Sequence, residues 1–166
     1  IAVPFIDRHL TEGRGGKVVF YTSEGDVTFA ELAERVNRSG NVLTSLGLAI
    51  GERVLMVVKD CPEFLYLFFG AIKAGIVPVP VNTMLYADDY TYIIEDSGCK
   101  ALVYSPEYEE TMAAALAEVK NPPGVVLTSV GEGSVAELAE AASPDLEPHK
   151  SGPEDDCFWL YSSGST

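Results

Sequence analysis

Ser162, Ser163, Gly164, Ser165 and Thr166 are the densest group of chemically useful residues in this sequence. Each Ser or Thr hydroxyl can donate to a phosphate oxygen, and a glycine lets backbone N–H groups approach an anion closely. The apolar run just ahead of them, Cys157-Phe158-Trp159-Leu160-Tyr161, reads as a strand, being short, aromatic and bounded by polar residues. A strand that delivers such a loop suits a polyanion, above all the phosphate tail of a nucleotide. An ordinary polar turn uses the same residue types, so the pattern alone leaves both readings open. The loop is not a Walker loop, since G-x-x-x-x-G-K-[ST] is absent and no lysine follows Gly164. It is not a nucleophile elbow either, because no G-x-S-x-G runs through Ser162, Ser163 or Ser165.

The elements that must position this loop alternate between strand and helix. Val3 to Glu12 reads as a short helix or turn, ended by the glycines at 13, 15 and 16, and Lys17 to Thr22 is β-rich. Ser23-Glu24-Gly25-Asp26 is the expected turn after it. Thr28-Phe29-Ala30-Glu31 is a capping box, and Phe29, Leu32, Val36, Gly40, Leu43 and Leu46 recur at helical spacing. Val54 to Val58 is uninterruptedly apolar, as expected of a strand covered on both faces. Asp60 or Cys61 then caps a helix over Glu63 to Ala74, with Pro62 in its first turn, and that helix is apolar nearly all round and so expected to be buried. In Val77-Pro78-Val79-Pro80-Val81 the prolines lie two apart, which removes donors from one edge only and leaves the other free to pair. A helix over Ala87 to Ser97, a strand over Ala101 to Tyr104, a helix opened by Ser105-Pro106-Glu107 and running to about Lys120, a strand over Val125 to Leu127 and a short helix capped by Ser134 follow. Ser143 to Asp156, rich in Pro and acids, reads as a surface connection. The alternation predicts an α/β protein with a largely parallel sheet flanked by helices. In such sheets ligands bind beyond the carboxyl ends of strands, and the hydroxyl loop follows the end of one.

A length of 166 residues corresponds to about one domain with a sizeable core. The first residue is Ile and the last falls inside the hydroxyl pattern, so the chain is read as the front part of a longer protein. The net charge of −14 argues against a nucleic-acid partner, which needs clustered Lys and Arg, but not against ATP held by a few local donors. Cys61, Cys99 and Cys157 are widely spaced and contain no C-x-x-C, which fits free thiols in a reducing cytoplasm. His9 and His149 are too isolated for metal binding and read as surface residues. The longest apolar stretch, Phe64 to Ile72, is too short to span a bilayer, so no membrane association is expected.

Tyr161 to Thr166 resembles the start of the phosphate-binding signature of the adenylate-forming enzymes, roughly [YF]-[ST]-S-G-[ST]-T-G-x-P-K-G. That group comprises acyl- and aryl-CoA ligases, peptide-synthetase adenylation domains and luciferases. Thr28-Phe29-Ala30-Glu31-Leu32 resembles its T-[YF]-x-E-L helix start, and Gly51-Glu52-Arg53-Val54 its G-D-R-V before the first core strand. Gly70 to Gly75 with Pro78, Pro80 and Asn82, and Asp96-Ser97 followed by Ala101-Leu102-Val103, are similar to two further segments. Phe5-Ile6-Asp7-Arg8 with Glu12-Gly13-Arg14-Gly15, Val81-Asn82-Thr83 with Leu85, Ala87-Asp88-Asp89-Tyr90 and Phe158-Trp159-Leu160-Tyr161 resemble the benzoate–CoA ligase branch in particular.

The resemblance implies an incomplete N-terminal part of the large ATP- and acid-binding domain over residues 1–166, stopping inside the phosphate-binding loop. It implies an AMP-forming acid–thiol ligase in the full-length protein, with ATP, Mg²⁺, coenzyme A and an aromatic carboxylate such as benzoate as cofactors and substrates. Ser162, Ser163, Gly164, Ser165 and Thr166 would begin the loop around the β- and γ-phosphates. No catalytic residue or metal ligand falls in this stretch, so the fragment alone is expected to be inactive. A cytoplasmic location is implied, and a homodimer is compatible with it. Three rivals stay open: another adenylate-forming ligase, of fatty acyl, coumarate or peptide-synthetase type; a non-catalytic nucleotide-binding module; and a hydrolase using Ser162 or Ser163 with His149 as base.

Overall fold

The computed structural model describes residues 2–23 and 25–162, the side chains of residues 2 and 3 excepted. The chain opens with helix α1 (Ala2–Thr11), followed by strands β1 (Val18–Thr22) and β2 (Gly25–Thr28), which pair antiparallel. Gly25 and Asp26 were expected in a turn, yet they open β2 opposite Thr22 and Tyr21. Ser23 and Glu24 lie between the two strands in sequence, and Glu24 is outside the described residues. Helix α2 (Phe29–Ser45) begins at the anticipated capping box. The Glu31 N–H donates to Thr28 Oγ1 at 3.3 Å, and the Thr28 N–H donates back to Glu31 Oε2 at 2.8 Å.

Four βα steps complete the fold: β3 (Arg53–Val57), α3 (Pro62–Ala74), β4 (Val77–Pro80), α4 (Ala87–Ser97), β5 (Ala101–Tyr104), α5 (Glu109–Glu118), β6 (Val125–Thr128) and α6 (Val135–Ala141). The helix expected to start at Ser105-Pro106 is split, a 3₁₀ turn over Pro106–Tyr108 preceding α5. The N-cap of α3 is Cys61, whose side chain makes no capping bond.

The strands form a parallel sheet in the order β4-β3-β5-β6. Alternate side chains point to opposite faces of it. Val54, Met56, Ala101 and Val103 meet α2, α3 and α6 on one face, while Leu55, Val57, Val79, Leu102 and Tyr104 meet α4 and α5 on the other. A third cluster joins Ile6 of α1 and Leu32, Ala33 and Val36 of α2 to the hairpin and to Leu65, Tyr66 and Phe69 of α3. The α2–α3 crossing is closest at Gly40 and Gly70, where a Cβ on either would come within 2.7 Å of the other's backbone.

Helix α3 is less buried than its composition suggests. Among its residues Leu67, Gly70, Ala71 and Lys73 are buried, while Phe64, Phe68 and Phe69 are half-buried. Lys73 is the unexpected member: its Nζ donates to both oxygens of Asp7, at 3.1 and 2.8 Å, tying α3 to α1.

The run Cys157–Tyr161 is not a strand. It lies along the outer edge of β4 with one main-chain hydrogen bond to that strand, from the Trp159 N–H to the Pro78 carbonyl at 3.1 Å. The proline pair read from the sequence limits main-chain pairing with β4. Val77 and Val81 direct their N–H groups to Glu52 and Met56 on the β3 side, so Pro78 and Pro80 face outward, and this edge can accept but cannot donate.

Candidate functional site

The chain leaves β3 for β4 on one side and leaves β5 for β6 on the other. The carboxyl ends of β3 and β5 are therefore the topological switch point, where open α/β sheets form their ligand crevice. Lys59, Asp60 and Cys61 follow β3 there, Asn82 and Thr83 follow β4, and Ser105 and Glu107 follow β5. The Lys59 N–H donates to Ser105 Oγ at 3.1 Å, and Lys59 Nζ pairs with Glu107 Oε1 at 2.7 Å. That pairing raises the Lys59 pKa and lowers the Glu107 pKa, so both stay charged over a wide range. A hollow of about 480 Å³ opens beside them, lined by Val58, Lys59, Asp60, Phe64, Pro80, Val81, Asn82 and Thr83. Burial pushes the Cys61 thiol up to about 11, which keeps it protonated and a poor nucleophile.

Of the hydroxyl loop, Ser162 is exposed, and Ser163, Gly164, Ser165 and Thr166 lie outside the described residues. The segment leading into it is held at the opposite end of the sheet from the switch point. The Tyr161 hydroxyl donates to Asp96 Oδ2 at 2.6 Å, in the last turn of α4, which leads into the start of β5. Burial and that carboxylate raise the Tyr161 pKa, so its hydroxyl remains a donor. Trp159 rests on the guanidinium of Arg53, 5.3 Å from Cζ to the ring centroid, and its Nε1 donates to Asp156 Oδ2 at 3.0 Å. Phe158 meets Phe68 of α3 at 5.6 Å. Arg53 and Asp96 were read only as parts of a scaffold. Their contacts with this segment join residues far apart in the sequence.

The histidines are not simple surface residues. His9 stacks on Phe29 at 3.9 Å, and its Nδ1 accepts from Arg14 Nε at 3.0 Å. Desolvation, followed by the charges of Arg14 and Arg8, lowers its pKa. His149 is half-buried against Gly75, and its N–H donates to the Lys73 carbonyl at 2.8 Å. The connection around it is fixed by α2: Asn37 donates to the Pro144 carbonyl at 2.7 Å and Arg38 to the Ala142 carbonyl at 2.6 Å. No hydrogen bond joins His149 to Ser162, and Ser163, the other nucleophile of the hydrolase reading, lies outside the described residues. Among those residues no group of three or more His, Cys, Asp or Glu could hold a metal ion. No helix among them is long and apolar enough to cross a membrane.

Comparison with known proteins narrows what this geometry belongs to. The benzoate–CoA ligase of Thauera aromatica is 44% identical over 163 residues, covering 97% of this chain and 31% of that protein. A long-chain-fatty-acid–CoA ligase of Mycobacterium tuberculosis is 38% identical over 140 residues, covering 84% of this chain and 28% of that protein. The solved benzoate CoA ligase of Burkholderia xenovorans LB400 superposes with a TM-score of 0.86 at 33% identity, over 96% of this chain and 32% of that one. The chain thus spans about a third of the length of the relatives it matches. The family model for AMP-binding enzymes matches residues 7–166. The chain belongs to the AMP-binding enzyme family.

Proposed function

We propose that these residues are the N-terminal part of the large domain of an AMP-forming aryl-CoA ligase, which activates benzoate or a related aromatic acid. The observation that carries this reading is the 44% identity with a benzoate–CoA ligase across nearly the whole chain. Benzoate and hydroxybenzoate ligases match over 95–99% of the chain and the fatty acid ligase over 84%, which favours the aryl acid over a long-chain one.

A carboxylate is a poor electrophile, because its charge repels a thiolate and oxide is a poor leaving group. Attack of the carboxylate on the α-phosphate of ATP forms an acyl-adenylate and releases pyrophosphate. The thiol of coenzyme A then displaces AMP and leaves the thioester. Charge builds on the departing pyrophosphate in the first step, and preorganised donors offset it. Ser162, Ser163, Ser165 and Thr166 would supply hydroxyl donors to the β- and γ-phosphates, with Gly164 keeping the backbone close to them. No group of three or more His, Cys, Asp or Glu among the described residues could hold the magnesium ion. The free Cys61, Cys99 and Cys157 suit a cytoplasmic enzyme. A homodimer is compatible with the reading.

The test is product analysis with the full-length protein, ATP, coenzyme A and benzoate. The expected products are benzoyl-CoA and AMP in equal amounts. Release of ADP, or of benzoate-independent phosphate, would contradict the proposal. If thioester forms only from a long-chain acid, the family mechanism stands and the aryl substrate falls.

A further inference from the structure

We propose that Ser105 and Tyr90 are positioning residues for the ligase reaction, two buried hydroxyls that fix the main chain on either side of the switch-point crevice. The inference rests on the ligase reading above, and it names residues that act on the crevice from behind.

Strand β3 has β4 on one side and β5 on the other, and each pairing ends in a last main-chain bond. The Val81 N–H donates to the Met56 carbonyl at 3.1 Å, and the Ser105 N–H donates to the Val57 carbonyl at 3.0 Å. Beyond those bonds the three chains diverge, β3 toward α3, β4 toward α4 and β5 toward the turn before α5. A peptide group that leaves a sheet still needs a partner where water is shielded from it. Side-chain hydroxyls supply that partner here. On the β5 side Ser105 Oγ accepts from the Lys59 N–H at 3.1 Å and from Ser129 Oγ at 3.4 Å, which ties together the ends of β3, β5 and β6. On the β4 side the Tyr90 hydroxyl reaches over from α4 and donates to the Asn82 carbonyl at 2.8 Å. Asn82 then orders its own turn, its Oδ1 accepting from the Met84 N–H at 2.9 Å.

Both side chains are almost without exposure, 0% for Ser105 and 1% for Tyr90, so these bonds are not traded for bonds to bulk water. The stretches they hold, Lys59-Asp60 and Asn82-Thr83, line the same hollow from two neighbouring strands. A shift of about 1 Å in such a frame can cost a reaction roughly a hundredfold. Two bonds behind the crevice therefore bear on the chemistry without touching substrate.

The test is steady-state thioester formation by the full-length protein, with KM measured separately for benzoate, MgATP and coenzyme A, beside the melting temperature. Tyr90→Phe and Ser105→Ala each delete one hydroxyl. Each should raise KM for one substrate roughly three- to tenfold, the effect of one hydrogen bond. It should be the same substrate in both variants, because the two hydroxyls frame one crevice. The other two KM values should stay within about twofold. Thr91→Val is the control: the Thr91 hydroxyl bonds the Ala87 and Ala115 carbonyls at 3.0 and 3.1 Å, joining α4 to α5, so its loss should leave all three KM values unchanged. Hydroxyls that served stability alone would lower the melting temperature, and with it the active fraction and kcat, at unchanged KM. That result for Tyr90→Phe and Ser105→Ala would overturn the proposal, and so would increases for different substrates in the two variants. Absence of thioester formation by the unsubstituted protein from any carboxylic acid would instead remove the ligase reading, and this role with it.

Discussion

Replacing Gly70 with Ala tests the packing on which the whole arrangement depends. A glycine in the middle of a helix normally costs about 1 kcal/mol relative to alanine, so the substitution should stabilise an ordinary helix. At Gly70 the added Cβ would lie 2.7 Å from both the Gly40 N and the Val36 O, and 3.1 Å from the Ser39 Cβ. Ordinary contact begins near 3.4 Å, so α2 and α3 must separate by about 0.7 Å to admit one methyl group. The obstructing atoms are mainly backbone, which cannot rotate away. Overpacking of this kind costs about 1–3 kcal/mol, and the propensity gain offsets about 1 of it. The net effect should be a loss of up to about 2 kcal/mol, or up to roughly 8 °C in melting temperature. Gly16→Ala serves as control, since nothing lies within 4 Å of its added Cβ. Thermal melts of the full-length protein compare the two variants with the parent. A Gly70→Ala protein more stable than the parent, by the propensity gain of about 1 kcal/mol, would refute the close helix crossing.

Three further outcomes follow from side chains named above. Asp7→Ala should cost about 3 kcal/mol by stranding the Lys73 ammonium, which is 5% exposed, whereas Lys73→Met should cost less because Asp7 is 32% exposed and can hydrate; denaturant titration would show the order. Glu31 has its pKa lowered, first by the Thr28 backbone hydrogen bond and then by the Thr28 side chain, so its contribution to stability is present above the ordinary glutamate value of 4.5 and is lost as pH falls through the lower folded value. Melts across that range should show Glu31→Gln flattening the acid limb, and an unaltered limb would count against the capping box. Thr166→Ala should slow adenylation roughly ten- to a hundredfold, as expected for one hydrogen bond to a charged group, with the rate of pyrophosphate formation as the readout.

Much of the fold was legible because each βα step carries its own punctuation. Thr28 with Glu31, Pro62, Gly75, Gly98 and Ser134 mark helix ends through caps and turns that depend only on near neighbours. Gly75 and Gly98 take φ of 79° and 54°, the left-handed conformation that closes a helix. The hairpin was harder to read, because Gly25 resembles a turn residue while serving a strand. Cys157–Tyr161 has the composition of a strand, and the prolines on the β4 edge limit its pairing there to the Trp159–Pro78 bond. Ser162 to Thr166 raise the expectation of a phosphate loop by residue type and resemblance, and Ser163 to Thr166 lie outside the described residues. The contacts of Arg53, Asp96 and Lys73 were not legible, since their partners are distant in sequence and neither period nor spacing connects them.

The most direct test of the central claim is carboxylate-dependent ATP–pyrophosphate exchange by the full-length protein, with benzoate and a medium-chain fatty acid assayed side by side. The account predicts exchange with benzoate and little with the fatty acid. Exchange with the fatty acid alone would contradict the aryl-acid assignment, and exchange with neither, nor with any other aromatic acid, would contradict adenylate formation itself.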